Sequence, residues 1–137
     1  MGANVGYANT DVARYCREAN EAMLVLPKIE SARAVENAGA IMSIEGVDGI
    51  VFGPGDLSVD MGYHGQWEHP EVLSAIEGVI ELALARGLAV EPAIMPMDPA
   101  AYQRELDRGV RIFGAMRRSE YDLLKEAAMN VMAVYSS

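Results

Sequence analysis

The chain has 137 residues and a formal net charge of −9, with 11 Lys and Arg against 20 Asp and Glu. Its densest basic spot is the pair Arg117-Arg118, which excludes the basic stripe that a nucleic-acid-binding surface needs. Apolar residues make up 51% and charged residues 23%, the balance of an ordinary globular chain, and no apolar run reaches the length of a bilayer span.

The acids are scattered, as on a solvated surface. A single cysteine, Cys16, excludes an internal disulfide and fits a reducing compartment. It lies in the helical pattern DVARYCREAN, so buried packing is expected of it rather than reactivity. The opening MGANVGYANT carries no apolar signal core, and a cytoplasmic location is expected.

Taken in order, residues 9–21 read as a helix with Val12, Tyr15, Cys16 and Ala19 at helical spacing. MLVLPKIE (23–30) is an apolar run of strand length, with Pro27 as a bulge or strand end. A helix is expected from Ser31 to Gly46, then a strand at 47–53 (VDGIVFG) and a Gly-rich polar loop at 54–69. The clearest helix covers 70–86, with Val72, Leu73, Ile76, Val79, Ile80, Ala83 and Leu84 in one stripe, Pro70 in its first turn and Gly87 at its end. A third strand is expected at 88–94. Asp98-Pro99 is an N-cap and first-turn proline for a helix ending at Gly109. VRIFGAM (110–116) reads as a fourth strand. Ser119 caps a last helix with Leu123, Leu124, Ala127, Ala128, Val131 and Met132 inward.

Strand alternating with helix implies parallel strands and right-handed crossovers, covered on both faces. An open doubly wound sheet and part of a (β/α)8 barrel both fit. In either, chemistry sits at the carboxyl ends of the strands. Two acids lie there: Glu30, ending KIE, and Asp56, in FGPGDLS (52–58). Neighbouring strands run about 4.8 Å apart, so two inward carboxylates repel unless a cation shares them. Hard oxygen ligands suit Mg²⁺ or Mn²⁺. The structural alternative is that Glu30 caps the following helix and Asp56 the turn at Asp-Leu-Ser, and spacing alone favours it. Gly53 and Gly55 leave backbone bare, so that N–H groups can approach an anion.

ANEAMLVLPKIESARAVEN (19–37), IEGVDGIVFGPGDLSVDMGY (44–63), HPEVLSAIE (69–77) and Gly109 together resemble the C-terminal half of the HpcH/HpaI aldolase family. These are metal-dependent 2-oxo-acid aldolases built on a (β/α)8 TIM barrel. The resemblance covers most of residues 14–115. It implies one half-barrel domain over 1–137, a leading helix and four parallel β/α units equivalent to strands five to eight. It implies a divalent metal (Mg²⁺, Mn²⁺ or Co²⁺) on Glu30 and Asp56. It also implies a substrate site at Gly53, Gly55 and Asp56, where the N–H groups of Gly55 and Asp56 hold the carboxylate of a pyruvate-like acid. The expected activity is aldol cleavage or formation through a pyruvate enolate.

The family's proton-transfer histidine and clamping arginine belong to the other half of the barrel. A complementary half-barrel or a homo-oligomer is therefore expected as partner. Candidates for catalysis on this chain are His64, in the loop after Asp56, and Lys28, which shares the face of Glu30. Lys28 departs from the uncharged residue common there. It is expected to pair with Glu30 or Asp56 and weaken metal binding. The rival readings are a Schiff-base lyase using Lys28, an acyl-CoA lyase, and a non-catalytic assembly or anion-binding module. His69 reads as a helix start, Arg117-Arg118 as a solvated pair or partner contact, and Trp67 with the 119–134 helix as lying near a subunit contact.

Overall fold

The computed structural model describes residues 11–92, 98–113, 124–129 and 132. Three short strands, β1 (Lys28–Ile29), β2 (Gly49–Phe52) and β3 (Ala89–Val90), form a parallel sheet in the order β1-β2-β3. The helices are α1 (Val12–Ala22), α2 (Ala32–Glu36), α3 (Ala38–Ile41), α4 (Pro54–Asp60), α5 (Pro70–Ala85) and α6 (Pro99–Arg108).

The strands are shorter than their apolar runs. Val51 N–H donates to the Pro27 carbonyl at 3.1 Å. Pro27's own nitrogen has no hydrogen to return to β2, so regular pairing starts at Lys28. Upstream, Asp48 holds the approach to β1: its Oδ2 accepts from Val25 N at 2.8 Å and its N–H donates to the Val25 carbonyl at 3.0 Å. Of the expected fourth strand, residues 114–116 lie outside the described residues. Residues 110–113 carry no regular structure but are tied to the sheet by Ile112 N–H on the Val90 carbonyl at 3.2 Å.

Strand alternation divides the sheet into two unlike faces. Ile29 pairs with Phe52 and Ile50 with Val90, and all four are buried. Against them lies α5, with Val72, Ile76, Val79, Ile80 and Ala83 buried as the periodicity requires. On the other face Lys28 pairs with Val51 and Gly49 with Ala89. There Lys28 is exposed and Val51 and Ala89 are half-buried. Coverage of both faces was expected from the apolar strands; among the described residues only one face has it.

Several local expectations need correction. The helix expected over 31–46 is two pieces: Asn37 leaves helical geometry (ψ 5°), and its Nδ2 donates to the Arg33 carbonyl at 2.7 Å. The loop expected over 54–69 begins as a helix, α4, with Pro54 in its first turn and Leu57 and Ser58 buried. Its glycine content disguised a proline start followed by an acid in the first turn, both favourable there. Cys16 is exposed, not packed, because no residue of α1 is buried. The last helix does not face inward where it is described: residues 124–129 are helical and exposed, and so are Leu124, Ala127, Ala128 and Met132. Leu123 and Val131 lie outside the described residues.

The caps of α6 follow the reading. Asp98 Oδ1 accepts from Ala101 N–H at 2.8 Å, and Gly109 closes the helix at φ 110°. Asp98→Ala should destabilise the chain by about 1 kcal/mol, measured by urea unfolding, because one first-turn N–H loses its acceptor.

Candidate functional site

Beyond the register pair Ile29–Phe52, the chain places Glu30 beside Gly53 at the carboxyl ends of β1 and β2. Gly53 N–H donates to the Ile29 carbonyl at 3.0 Å. The Glu30 side chain lies directly over this glycine. A Cβ built on Gly53 would come within 2.8 Å of Glu30 Oε2, 2.9 Å of Glu30 Cβ and 3.0 Å of Lys28 Cε. Glycine at 53 is therefore a condition for where Glu30 sits.

Lys28 and Glu30 share the open face, as alternation predicts. Lys28 Nζ lies 3.2 Å from Glu30 Oε2, with the two side chains 53% and 46% exposed. Asp56 follows β2 in the first turn of α4 and is exposed. Leu57 is the first residue of α4 whose N–H bonds within the helix, to the Gly53 carbonyl at 2.9 Å. The N–H groups of Gly55 and Asp56 precede it, in the turn where a helix supplies no acceptor.

The structural alternative for the two acids does not hold. Ser31 caps α2, its Oγ accepting from Ala34 N–H at 3.1 Å, and Asp60 Oδ2 accepts from Ala32 N–H at 2.7 Å. Glu30 is not used as a cap. Asp56 is inside a helix whose N-cap, Gly53, offers no side-chain bond. Glu30 is paired with Lys28, and Asp56 is exposed in the first turn of α4.

Asp60 escaped the sequence reading. Its bond from the last residue of α4 to the start of α2 ties the Asp56 helix to the end of β1. The signal was available only as an acid four residues after Asp56, which has no meaning until α4 is a helix. Glu91 escaped too. Its N–H donates to the Ile50 carbonyl at 3.1 Å, continuing the β3 ladder one residue on. Alternation then puts this half-buried acid on the face of Lys28 and Glu30.

His64 is exposed in the turns between α4 and α5. His69 has the helix-start role expected of it: Nδ1 accepts from Glu71 N–H at 3.3 Å, and the ring stacks on Tyr63 with centroids 3.8 Å apart. Arg117-Arg118 lie outside the described residues. A cavity of about 490 Å³ between α5 and α6, floored by Leu73, Ile76 and Ile80, is lined by neither Glu30 nor Asp56. At its rim Arg108 is ion-paired with Glu77. That hydrogen bond raises the Arg108 pKa above its ordinary value against the opposing effect of burial.

The residues present fit a hard divalent cation. Glu30 stands at the end of β1 and Asp56 in the first turn of the helix that follows the adjacent parallel strand β2, and a bare glycine leaves the space that the Glu30 oxygen takes. Among the described residues no cluster of three or more His, Cys, Asp and Glu could hold a metal ion.

A profile of the HpcH/HpaI aldolase/citrate lyase family matches residues 5–113. The chain belongs to the HpcH/HpaI aldolase/citrate lyase family. It is 42% identical over 98 residues to a 4-hydroxy-2-oxo-heptane-1,7-dioate aldolase of Salmonella heidelberg (strain SL476), covering 72% of this chain and 36% of that protein. The HpcH/HpaI aldolase of Desulfitobacterium hafniense DCB-2 superposes with a TM-score of 0.75 at 29% identity, over 98% of this chain and 51% of that one. An HpcH/HpaI aldolase/citrate lyase family protein from Burkholderia cenocepacia J2315 gives 0.72 at 29%, over 90% and 46%. This HpcH/HpaI chain therefore spans about a third of the curated relatives it matches and about half of the solved structures. Its three-stranded parallel sheet corresponds to part of the family's α/β fold.

Proposed function

We propose that this chain carries the metal-binding half of a class II aldolase site acting on 2-oxo acids such as pyruvate, with Glu30 and Asp56 as ligands to Mg²⁺, Mn²⁺ or Co²⁺. The observation that carries the reading is the placement of Glu30 over Gly53, one turn of chain before Asp56, with neither acid used as a cap. Family membership supports the chemistry.

The bound cation would supply Lewis-acid stabilisation of negative charge developing on the 2-oxo oxygen. The chain's own residues do the rest of the positioning. Glu30, at the end of β1, and Asp56, in the first turn of α4, would hold the cation. The N–H groups of Gly55 and Asp56, in the first turn of α4, orient the substrate carboxylate. Gly53 leaves room for the Glu30 side chain over the strand end, and Asp60 holds α4 against α2.

The architecture we propose is the C-terminal half of a (β/α)8 barrel, strands five to eight, completed by further β/α units. Among the described residues β1 is one edge of the sheet. Met23, Leu24 and Val25 on the approach to it are 62%, 66% and 47% exposed, apolar surface that a neighbouring unit would cover.

The test is Mn²⁺ titration of the full chain, followed by calorimetry or by the electron paramagnetic resonance of free ion. Glu30→Gln and Asp56→Asn should each lower the affinity at least tenfold, since each removes one of two anionic ligands. Unchanged affinity in both variants would rule the site out. Schiff-base chemistry at Lys28 predicts instead that borohydride with pyruvate adds mass to the chain and that EDTA has no effect.

A further inference from the structure

We propose that Lys28 is a built-in competitor for the cation: its ammonium occupies the Glu30 carboxylate, sets a low metal affinity, and must be displaced for the metal to bind. The inference rests on the metal-site reading above, and concerns how that site is regulated.

The geometry is specific. Lys28 and Glu30 are two residues apart on one strand, so their side chains leave the same face. Nζ reaches Glu30 Oε2 at 3.2 Å. Lys28 Cε also runs within 3.0 Å of the point where a Gly53 Cβ would stand, so the aliphatic stem lies across the same bare glycine as Glu30. The ammonium is thus held where a cation bound to Glu30 would sit.

The chemistry makes the two occupants mutually exclusive on that oxygen. A carboxylate oxygen that accepts from an ammonium has to turn from it to coordinate a divalent ion in its inner sphere. A positive charge a few ångströms from a second positive charge is repelled even in high dielectric. Both side chains are about half exposed, so the pair itself is weak. Displacement is therefore within reach of a divalent ion, and the toll on affinity is on the order of tenfold. Nothing else among the described contacts holds Lys28. Its partner is a residue that caps no helix, so the pair has no evident folding role. Once displaced, the ammonium stays on the open face with Glu91 as the other acid there.

The experiment is Mn²⁺ titration of the full chain at low and at high salt, for wild type, Lys28→Met, Lys28→Gln and Lys28→Arg, with thermal melting as a check on folding. The expected result is that Lys28→Met and Lys28→Gln tighten Mn²⁺ binding on the order of tenfold at low salt, that the gain shrinks at high salt, and that Lys28→Arg stays near wild type. Binding by Lys28→Met with none by wild type would support the inference in its strongest form. Equal or weaker binding by both neutral variants, with wild type binding normally, would overturn the inference and leave the metal site standing. Absence of Mn²⁺ binding in every folded variant would overturn the metal site, and the competition with it.

Discussion

Gly49→Ala is expected to destabilise the chain by about 3 kcal/mol or more, enough to compromise the sheet at ordinary temperature. The cause is backbone against backbone. A Cβ on Gly49 would stand 2.4 Å from the Ala89 carbonyl oxygen, 2.9 Å from its carbon and 2.9 Å from the Ala89 Cβ. No rotamer change relieves this, because none of those atoms belongs to a movable side chain. The strands have to separate, and β2 is the only strand that pairs on both sides among the described residues. Urea unfolding against Gly78→Ala gives the comparison. Gly78 lies in α5 with nothing within 4 Å of its Cβ position. There alanine should be neutral or stabilise by about 0.5–1 kcal/mol. Equal midpoints for the two variants would mean that β2 and β3 are not packed at this distance.

Gly53→Ala should strike fold and site together. Its backbone, at φ −114°, suits any residue, so strain in the turn is not the issue. The added methyl meets Glu30 Oε2, Glu30 Cβ and Lys28 Cε within 3.0 Å. The oxygen and Cε are ends of side chains and can swing away; Glu30 Cβ cannot move without β1. The expected cost is about 1–3 kcal/mol of stability. Glu30 is also expelled from its place over the strand end, so Mn²⁺ affinity should fall at least as far as in Glu30→Gln. The two readouts separate the causes. A folded Gly53→Ala chain that binds Mn²⁺ like wild type would show that the position of Glu30 over Gly53 is immaterial to the ion.

How far the sequence could be read depended on the range of the interaction. The α5 stripe was legible, because a 3.6-residue period is a local property: all five buried positions belong to it, and Leu73 and Leu84 are half-buried at its margins. The Asp98 and Gly109 caps were legible for the same reason. Lys28 beside Glu30 followed from alternation along one strand. The loop at 54–69 was misread because composition outweighed a proline start. The break at Asn37 was missed because a side chain bonding back to the Arg33 carbonyl competes with helix propagation, and nothing in periodicity marks it. Cys16 and, in the last helix, Leu124, Ala127, Ala128 and Met132 were assigned inward from stripes that are real on a helical wheel. A stripe is buried only if another element lies against it, and that is decided elsewhere in the chain.

The order of residues alone determined which acids follow the strands, the ends of α5 and α6, and the family. All of these are written in contiguous stretches of a few turns or fewer. Only the folded chain decided that Glu30 rests on Gly53, that Ser31 and Asp60 rather than Glu30 cap α2, and that Glu91 joins the open face. Those facts depend on the register between β1, β2 and β3. Register is set by hydrogen bonds and packing between residues some 20 to 40 positions apart, a distance over which no local pattern carries information.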